Sequence, residues 1–291
     1  MIQRNTAQSA DFHRIRHEAA LKSWETRKRA DKEATKTRPS RGDWANKNAE
    51  TERALAETPV TGAKPLGGGI SETYKIVLAN GMVANFKVSA SPESEVGAWE
   101  VAKLVGMDDL VPPAVIREVD VPGGGGLAPV AGGIRGGGRR YPPGVKRGSA
   151  ALWKEGQVAG DIDEHKAFDG IEDSRRAAIF DFVIGNSDRH NGNWVLNADG
   201  KIGLIDHNLA FSGFPQSEFI DRAQRPPNGI LSPAKYIAPY LAKKSQIADR
   251  LRKSGLAEEQ IGDVLRRIDR AASAKSWRDV YDDPGRYDPR R

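Results

Sequence analysis

The sequence predicts an α+β protein: short antiparallel strands around one helix in its first half, mainly helices in its second. Three observations carry this. Residues 73–79 alternate Tyr74, Ile76 and Leu78 on one face, and Asn80-Gly81 then offers a two-residue hairpin turn to a returning strand over 83–88. Ser91-Pro92 reads as the N-cap and first residue of a helix running to Val105 and stopping at Gly106. In the second half, Ile261, Val264, Leu265 and Ile268 repeat at the helical period.

The chain has 291 residues and a mass of 31.7 kDa, room for one large domain or two small ones at roughly 150 residues each. It has no cysteine, which excludes disulfides, iron–sulfur clusters, thiolate zinc sites and cysteine nucleophiles. No apolar run approaches the roughly 20 residues that cross a bilayer. The opening MIQRNT lacks the apolar core of a signal peptide, so a cytoplasmic protein without membrane insertion is expected.

The net charge is +6 and the pI about 9.4, values that invite a nucleic-acid reading. Residues 1–48, however, hold 12 of the 45 basic and 6 of the 39 acidic residues, so the remaining chain carries 33 of each and is neutral. Residues 1–57 are expected to form a basic arm, helical or disordered, with 35–48 as linker. Residues 1–48 could meet an acidic partner, but no stacking or groove-reading pattern points to a specific nucleic acid. His13 and His17 are spaced like a helical metal pair, but without a third ligand they read as part of a solvated basic helix.

A main domain is expected over 58–275. Its first lobe spans about 58–155, with a Gly/Pro/Arg-rich interruption at 121–148 read as a flexible loop. A strand is expected over 111–119 and a short one over 150–154. The second lobe spans about 156–275, with helices near 174–184, 232–243 and 258–272. Residues 276–291 read as a polar tail.

The densest chemistry lies in 185–207. A helix with core face Ala178, Ile179, Phe182 and Val183 ends at Gly185, and the loop Asn186-Ser187-Asp188-Arg189-His190-Asn191-Gly192-Asn193 follows. Strands at 194–196 and 201–205 then flank the four-residue turn Asn197-Ala198-Asp199-Gly200. That turn sets Leu196 opposite Lys201 and Asn193 opposite Leu204. Alternation then makes Asn193 and Asp206 diagonal neighbours on one face. Two carboxylates, Asp188 and Asp206, and the amide oxygen of Asn193 form a hard oxygen donor set suited to Mg²⁺. The competing reading is an ordinary turn, since Asp, Asn and Gly are common turn formers.

Asp188-Arg189-His190-x-x-Asn193, then a hairpin, then Ile205-Asp206, resembles the catalytic core of the phosphatidylinositol kinases and related atypical kinases, including HipA-type bacterial protein kinases. The resemblance implies a bilobal protein-kinase-like fold, with a small antiparallel β N-lobe, a mainly helical C-lobe and ATP–Mg²⁺ between them. It places Asp188, Arg189 and His190 in the catalytic set, His190 as a structural or orienting group, and gives the metal to Asn193 and Asp206. Gly67, Gly68, Gly69 and Ser71 become a phosphate loop, and Lys87 the phosphate-binding lysine. Glu95 is its expected carboxylate partner, because it lies three residues before Ala98 in the buried stripe Ala98, Val101, Ala102, Val105, whereas Glu93 and Glu100 fall on other faces.

The chain departs from the kinase pattern where His207-Asn208 follows the metal aspartate in place of Phe-Gly, and where Asn85 stands two residues before Lys87 in place of Ala. The stretch AALKSWETRKR also resembles a short element of phage structural proteins, which would imply a phage-encoded, virion-associated protein. The expected function is transfer of the γ-phosphoryl group of ATP to a hydroxyl, a protein Ser/Thr in preference to an inositol lipid. The alternatives are a non-catalytic nucleotide-binding or phage structural module, and a kinase-fold nucleotidyl or glutamyl transferase.

Overall fold

The structure is a computed structural model that describes residues 41–66, 71–126, 139–161, 171–198, 200–212, 215, 217, 219 and 233–281. The expected helix in the first 34 residues, the His13/His17 pair, the phage-like stretch and Gly67–Gly69 lie outside the described residues. The chain divides into two compact units, Met1–Glu50 and Thr51–Arg291.

Helix α1 (Arg41–Glu57) begins inside the stretch expected to be linker. Ala, Glu, Lys and Arg are good helix formers, and they outweigh its low apolar content. Its last turns belong to the second unit: Leu55 is fully buried in that unit's sheet core, and Glu52 accepts hydrogen bonds from Trp99 Nε1 and Lys103 Nζ, each at 2.7 Å. The body of the protein therefore starts at Thr51, before the expected boundary at residue 58.

A five-stranded antiparallel sheet is built from β1 (Val60–Leu66), β2 (Glu72–Leu78), β3 (Val83–Val88), β4 (Ala114–Val121) and β7 (Gly144–Leu152), in the order β1-β2-β3-β7-β4. The β2–β3 connection holds three residues, not the expected two. Leu78 N–H donates to Met82 O, and Gly81 closes the turn with a φ of 82°. This is the longer hairpin loop that needs a left-handed residue at its third position, which glycine supplies without strain. Tyr74, Ile76, Leu78, Ala84, Phe86 and Ala150 turn to one face, where they pack with Leu55, Val119 and Val121. The opposite face carries the residues that line the cleft described below.

Strand β4 starts at Ala114, later than the expected 111, because Pro112-Pro113 precedes it and proline cannot donate to a ladder. The interruption expected at 121–148 is partly strand. Beyond Val121, β5 (Gly124–Gly126) pairs with β6 (Arg139–Tyr141), and β7 already begins at Gly144. The β4–β7 ladder runs from Ala114 opposite Ala151 to Val121 opposite Gly144, so backbone pairing prevails there over a glycine-rich composition.

Helix α2 (Pro92–Val105) occupies the expected span and stops at Gly106, whose N–H caps the Ala102 carbonyl. Ser91 stands at the N-cap, but its side chain makes no capping bond. The face Glu95, Ala98, Val101, Ala102 is buried. The remaining helices are α3 (Ile171–Ile184), α4 (Ala234–Ala242), α5 (Lys244–Lys253), α6 (Glu258–Ser273) and α7 (Trp277–Tyr281). With α2 they share a second, larger core that includes Ile179, Val183, Leu251, Val264 and Val280. The polar tail expected from residue 276 starts too early. Ser276 and Asp279 form a reciprocal cap, with Asp279 N–H donating to Ser276 Oγ at 3.2 Å and Ser276 N–H to Asp279 Oδ2 at 2.8 Å. The helix they start buries Trp277, Val280 and Tyr281, and the Tyr281 hydroxyl donates to Ala178 O. No helix among the described residues is long and apolar enough to cross a membrane.

Candidate functional site

The site is a cleft of about 600 Å³ in the second unit, within the usual size of small-molecule pockets. One wall is the outer face of the sheet, with Thr73, Asn85, Lys87 and Ala151. The facing residues are Asp188, His190, Asn193 and Asp206. Pro112, Leu152, Val195 and Ile205 add apolar surface, and Leu66 and Ser71, at the two ends of the glycine run, also line it.

The loop that presents Asp188 is held from behind by a buried ion pair. Arg189 and Asp181 both have fully buried side chains, with Arg189 Nε 3.2 Å from the Asp181 carboxylate. Asn186 Nδ2 and Ser217 Oγ donate to the same carboxylate at 3.0 and 2.8 Å. The Arg189 guanidinium also donates to Ile205 O at 2.6 Å and to Asn193 O. One side chain thus ties the loop to both strands of the following hairpin. Arg189, expected in the catalytic set, is turned into the body and does not line the cleft. Its planar fork of donors satisfies several carbonyls at once, which a buried positioning group needs.

Asp188 and Asn193 meet directly. Asn193 Nδ2 donates to Asp188 O at 2.8 Å and to Asp188 Oδ2 at 3.2 Å, so the amide's remaining polar atom is its oxygen. His190 is largely exposed. Its Nδ1 accepts the Gly192 N–H at 2.9 Å, and its Nε2 lies 3.8 Å from Asp188 Oδ1. A Cβ at Gly192 would come within 2.7 Å of the imidazole, so only glycine admits this ring position.

The hairpin carrying Asn193 and Asp206 differs in register from the expectation. β9 (Trp194–Leu196) pairs with β8 (Gln157–Val158) on one side and with β10 (Ile202–Leu204) on the other, the latter as Leu196 opposite Ile202 and Leu204 opposite Trp194, one residue away from the expected pairing. The pairing extends into the expected turn and shortens the loop: Asn197 N–H donates to Lys201 O at 3.0 Å, its Oδ1 accepts the Lys201 N–H at 2.8 Å, and Gly200 takes a left-handed φ of 73°. Asn193 and Asp206 still line the same cleft, but by a different route. Asp206 leaves the strand in a left-handed conformation, with φ 59°.

Lys87 Nζ sits 2.6 Å from each carboxylate oxygen of Asp206. The expected Lys87–Glu95 pair is therefore replaced by a Lys87–Asp206 pair. Glu95 is buried as expected from the helix stripe, but it accepts the His207 N–H at 2.7 Å and faces His207 Nδ1 at 3.2 Å. Burial alone would raise the Glu95 carboxyl; the His207 hydrogen bond and charge and the nearby Lys87 charge outweigh it and hold the group below the usual glutamate range. His207 is itself buried and meets Phe180 edge-on at 5.8 Å between ring centroids. Sequence reasoning left His207 and Asp181 without a role. For Asp181, a carboxylate within the apolar stripe Ala178, Phe182 of α3 was the available signal; His207 had none beyond adjacency to Asp206.

An antiparallel sheet and a helical body, with a cleft lined by a lysine from the sheet, two aspartates and an asparagine, form a kinase-like fold. The comparisons agree. Residues 153–258 match the family described as phosphatidylinositol 3- and 4-kinase. Two solved structures of the Golgi casein kinase share the fold. The one with Mn/ADP bound has a TM-score of 0.51 at 14% identity, and the other 0.53 at 15%. In each case 78% of this chain aligns with 74% of the other. No curated protein matches the sequence.

Proposed function

We propose that this chain transfers the γ-phosphoryl group of ATP, with Mg²⁺, to a hydroxyl, and that the hydroxyl is a protein Ser/Thr rather than an inositol lipid. The observation that carries the reading is the convergence of Lys87 with Asp188, Asn193 and Asp206 on one cleft. A Golgi casein kinase structure with Mn/ADP bound supports nucleotide and divalent metal use, and its protein substrate class supports a protein acceptor.

The donor set fits a hard cation. Asp206 is a carboxylate already neutralised by a cation, the Lys87 ammonium, and Asn193 has its amide nitrogen engaged and its oxygen left to give. Asn193 and Asp206 would hold the metal, which when bound screens phosphate charge. Lys87 then binds phosphate oxygens, and Glu95, through His207, keeps the Asp206 segment in place. Asp188 accepts the proton of the attacking hydroxyl as its oxygen bonds to the γ-phosphorus and the bond to the bridging β–γ oxygen breaks, releasing ADP. Positioning and charge neutralisation supply most of the acceleration.

Incubation with γ- or α-labelled ATP, using casein and phosphatidylinositol vesicles as acceptors, tests this. γ-Label on casein is expected. α-Label on a product would replace the reading with nucleotidyl transfer, γ-label on the lipid would replace the acceptor class, and no transfer would leave a binding module.

A further inference from the structure

Asn85 is among the polar side chains of the cleft that the chemistry above leaves unused. Asn85 lies two residues before Lys87 on β3, so both project from the same face, and both line the cleft. Across the strands, Thr73, Lys87 and Ser149 form one row, and Lys75, Asn85 and Ala151 form the next, about 7 Å away. The Oδ1 of Asn85 is buried and receives no hydrogen bond among the described residues. Its row neighbours do not supply one: Ala151 has no donor in its side chain, and the Lys75 ammonium sits over the Trp153 ring, 4.4 Å from the centroid. The cleft lining also includes the apolar Pro112, Val195 and Ile205. A buried acceptor without a donor is unfavourable, and Asn85 lines the cleft, so a rotation of its amide brings Oδ1 to a donor held there.

We propose that Asn85 reads the base of the bound nucleoside triphosphate and selects adenine over guanine. This rests on the phosphotransferase reading, in which the Lys87 row meets the phosphates; the Asn85 row then meets the other end of the nucleotide. Adenine carries its N6 amino donor beside the N7 acceptor. Asn85 Oδ1 takes the N6 hydrogen and Nδ2 donates to N7, so the orphaned acceptor is satisfied. Guanine presents O6 in place of the amino group, which sets one acceptor against another. The apolar residues cover the ring faces.

The test is Asn85→Leu, which keeps the volume and removes both polar atoms. ATP, GTP and inorganic tripolyphosphate are each titrated, with Mg²⁺, against a fluorescent ATP analogue, and the unliganded protein is melted. ATP affinity is expected to fall about 10–100-fold, with GTP and tripolyphosphate held within about twofold. The melting temperature should stay level or rise, since an unsatisfied buried acceptor is gone. Asn85→Asp, isosteric but unable to donate to N7, should also weaken ATP. An unchanged ATP-to-GTP ratio in both variants overturns the base-reading role and leaves the phosphotransferase reading standing. Equal loss of all three ligands with a lower melting temperature assigns Asn85 a structural role and overturns it too. Failure of the unsubstituted chain to bind either ATP or tripolyphosphate overturns both readings together.

Discussion

Asp206 combines a left-handed backbone with a carboxylate aimed at a lysine. That conformation costs a non-glycine residue on the order of 1–3 kcal/mol and persists only where neighbours over-determine it. Here Lys87 holds the side chain and Glu95 holds the next N–H, so the strain is fixed from both sides. Asp188, by contrast, is half exposed and restrained mainly by Asn193, which suits its proposed role of meeting an incoming hydroxyl. Asp188→Asn is expected to lower turnover by on the order of 10²–10⁴ while leaving nucleotide affinity unchanged. Steady-state kinetics paired with titration calorimetry would check this, and an unaltered kcat would remove Asp188 from the chemistry.

At the scale of elements, the end of α3 and the β9–β10 hairpin are joined through Asp181 and Arg189. A buried pair of this kind is weak evidence of net stabilisation, but breaking it leaves an uncompensated charge inside the protein. Asp181→Ala should therefore cost about 3–5 kcal/mol, a fall of roughly 6–20 °C in melting temperature for a body of this size. A shift below about 2 °C by calorimetry would show that Arg189 finds other partners. Element boundaries were well read where local chemistry sets them: the α2 stop at Gly106, and the β3 span ending at Val88. They were misread where one residue alters a turn. Asn197 pairs with Lys201, which shortened the second hairpin loop and shifted every pair in it, and α5, with Ile247 and Leu251 as its buried residues, offered little periodicity to find.

Across the whole second unit, Glu95 and His207 connect α2 to the segment after β10, 112 residues away in sequence. Because the folded-state pKa of Glu95 is depressed, the pair contributes stability above the unfolded glutamate value of about 4.3, and loses it as pH falls through the lower folded value. Glu95→Gln should thus melt lower than the parent near pH 7, and the gap should narrow as pH drops below about 4. A gap that stays constant from neutral to acid pH would mean that the carboxylate charge contributes nothing.

Legible from the residues alone were a lysine on a strand, a glutamate facing inward from a helix, and Asp188, Asn193 and Asp206 around a hairpin, in that order along the chain. Those features follow from turn chemistry and periodicity, which act between residues a few positions apart. Their partners were set by long-range packing. Lys87 bonds Asp206 across 119 residues, Glu95 holds His207, and Arg189 turns inward to Asp181. Which buried charge meets which depends on how the sheet and helices pack, and a one-residue change in register or a left-handed backbone at one position suffices to change it. The net charge of +6 is carried by residues 1–48, and the rest of the chain, which holds the cleft residues, is neutral.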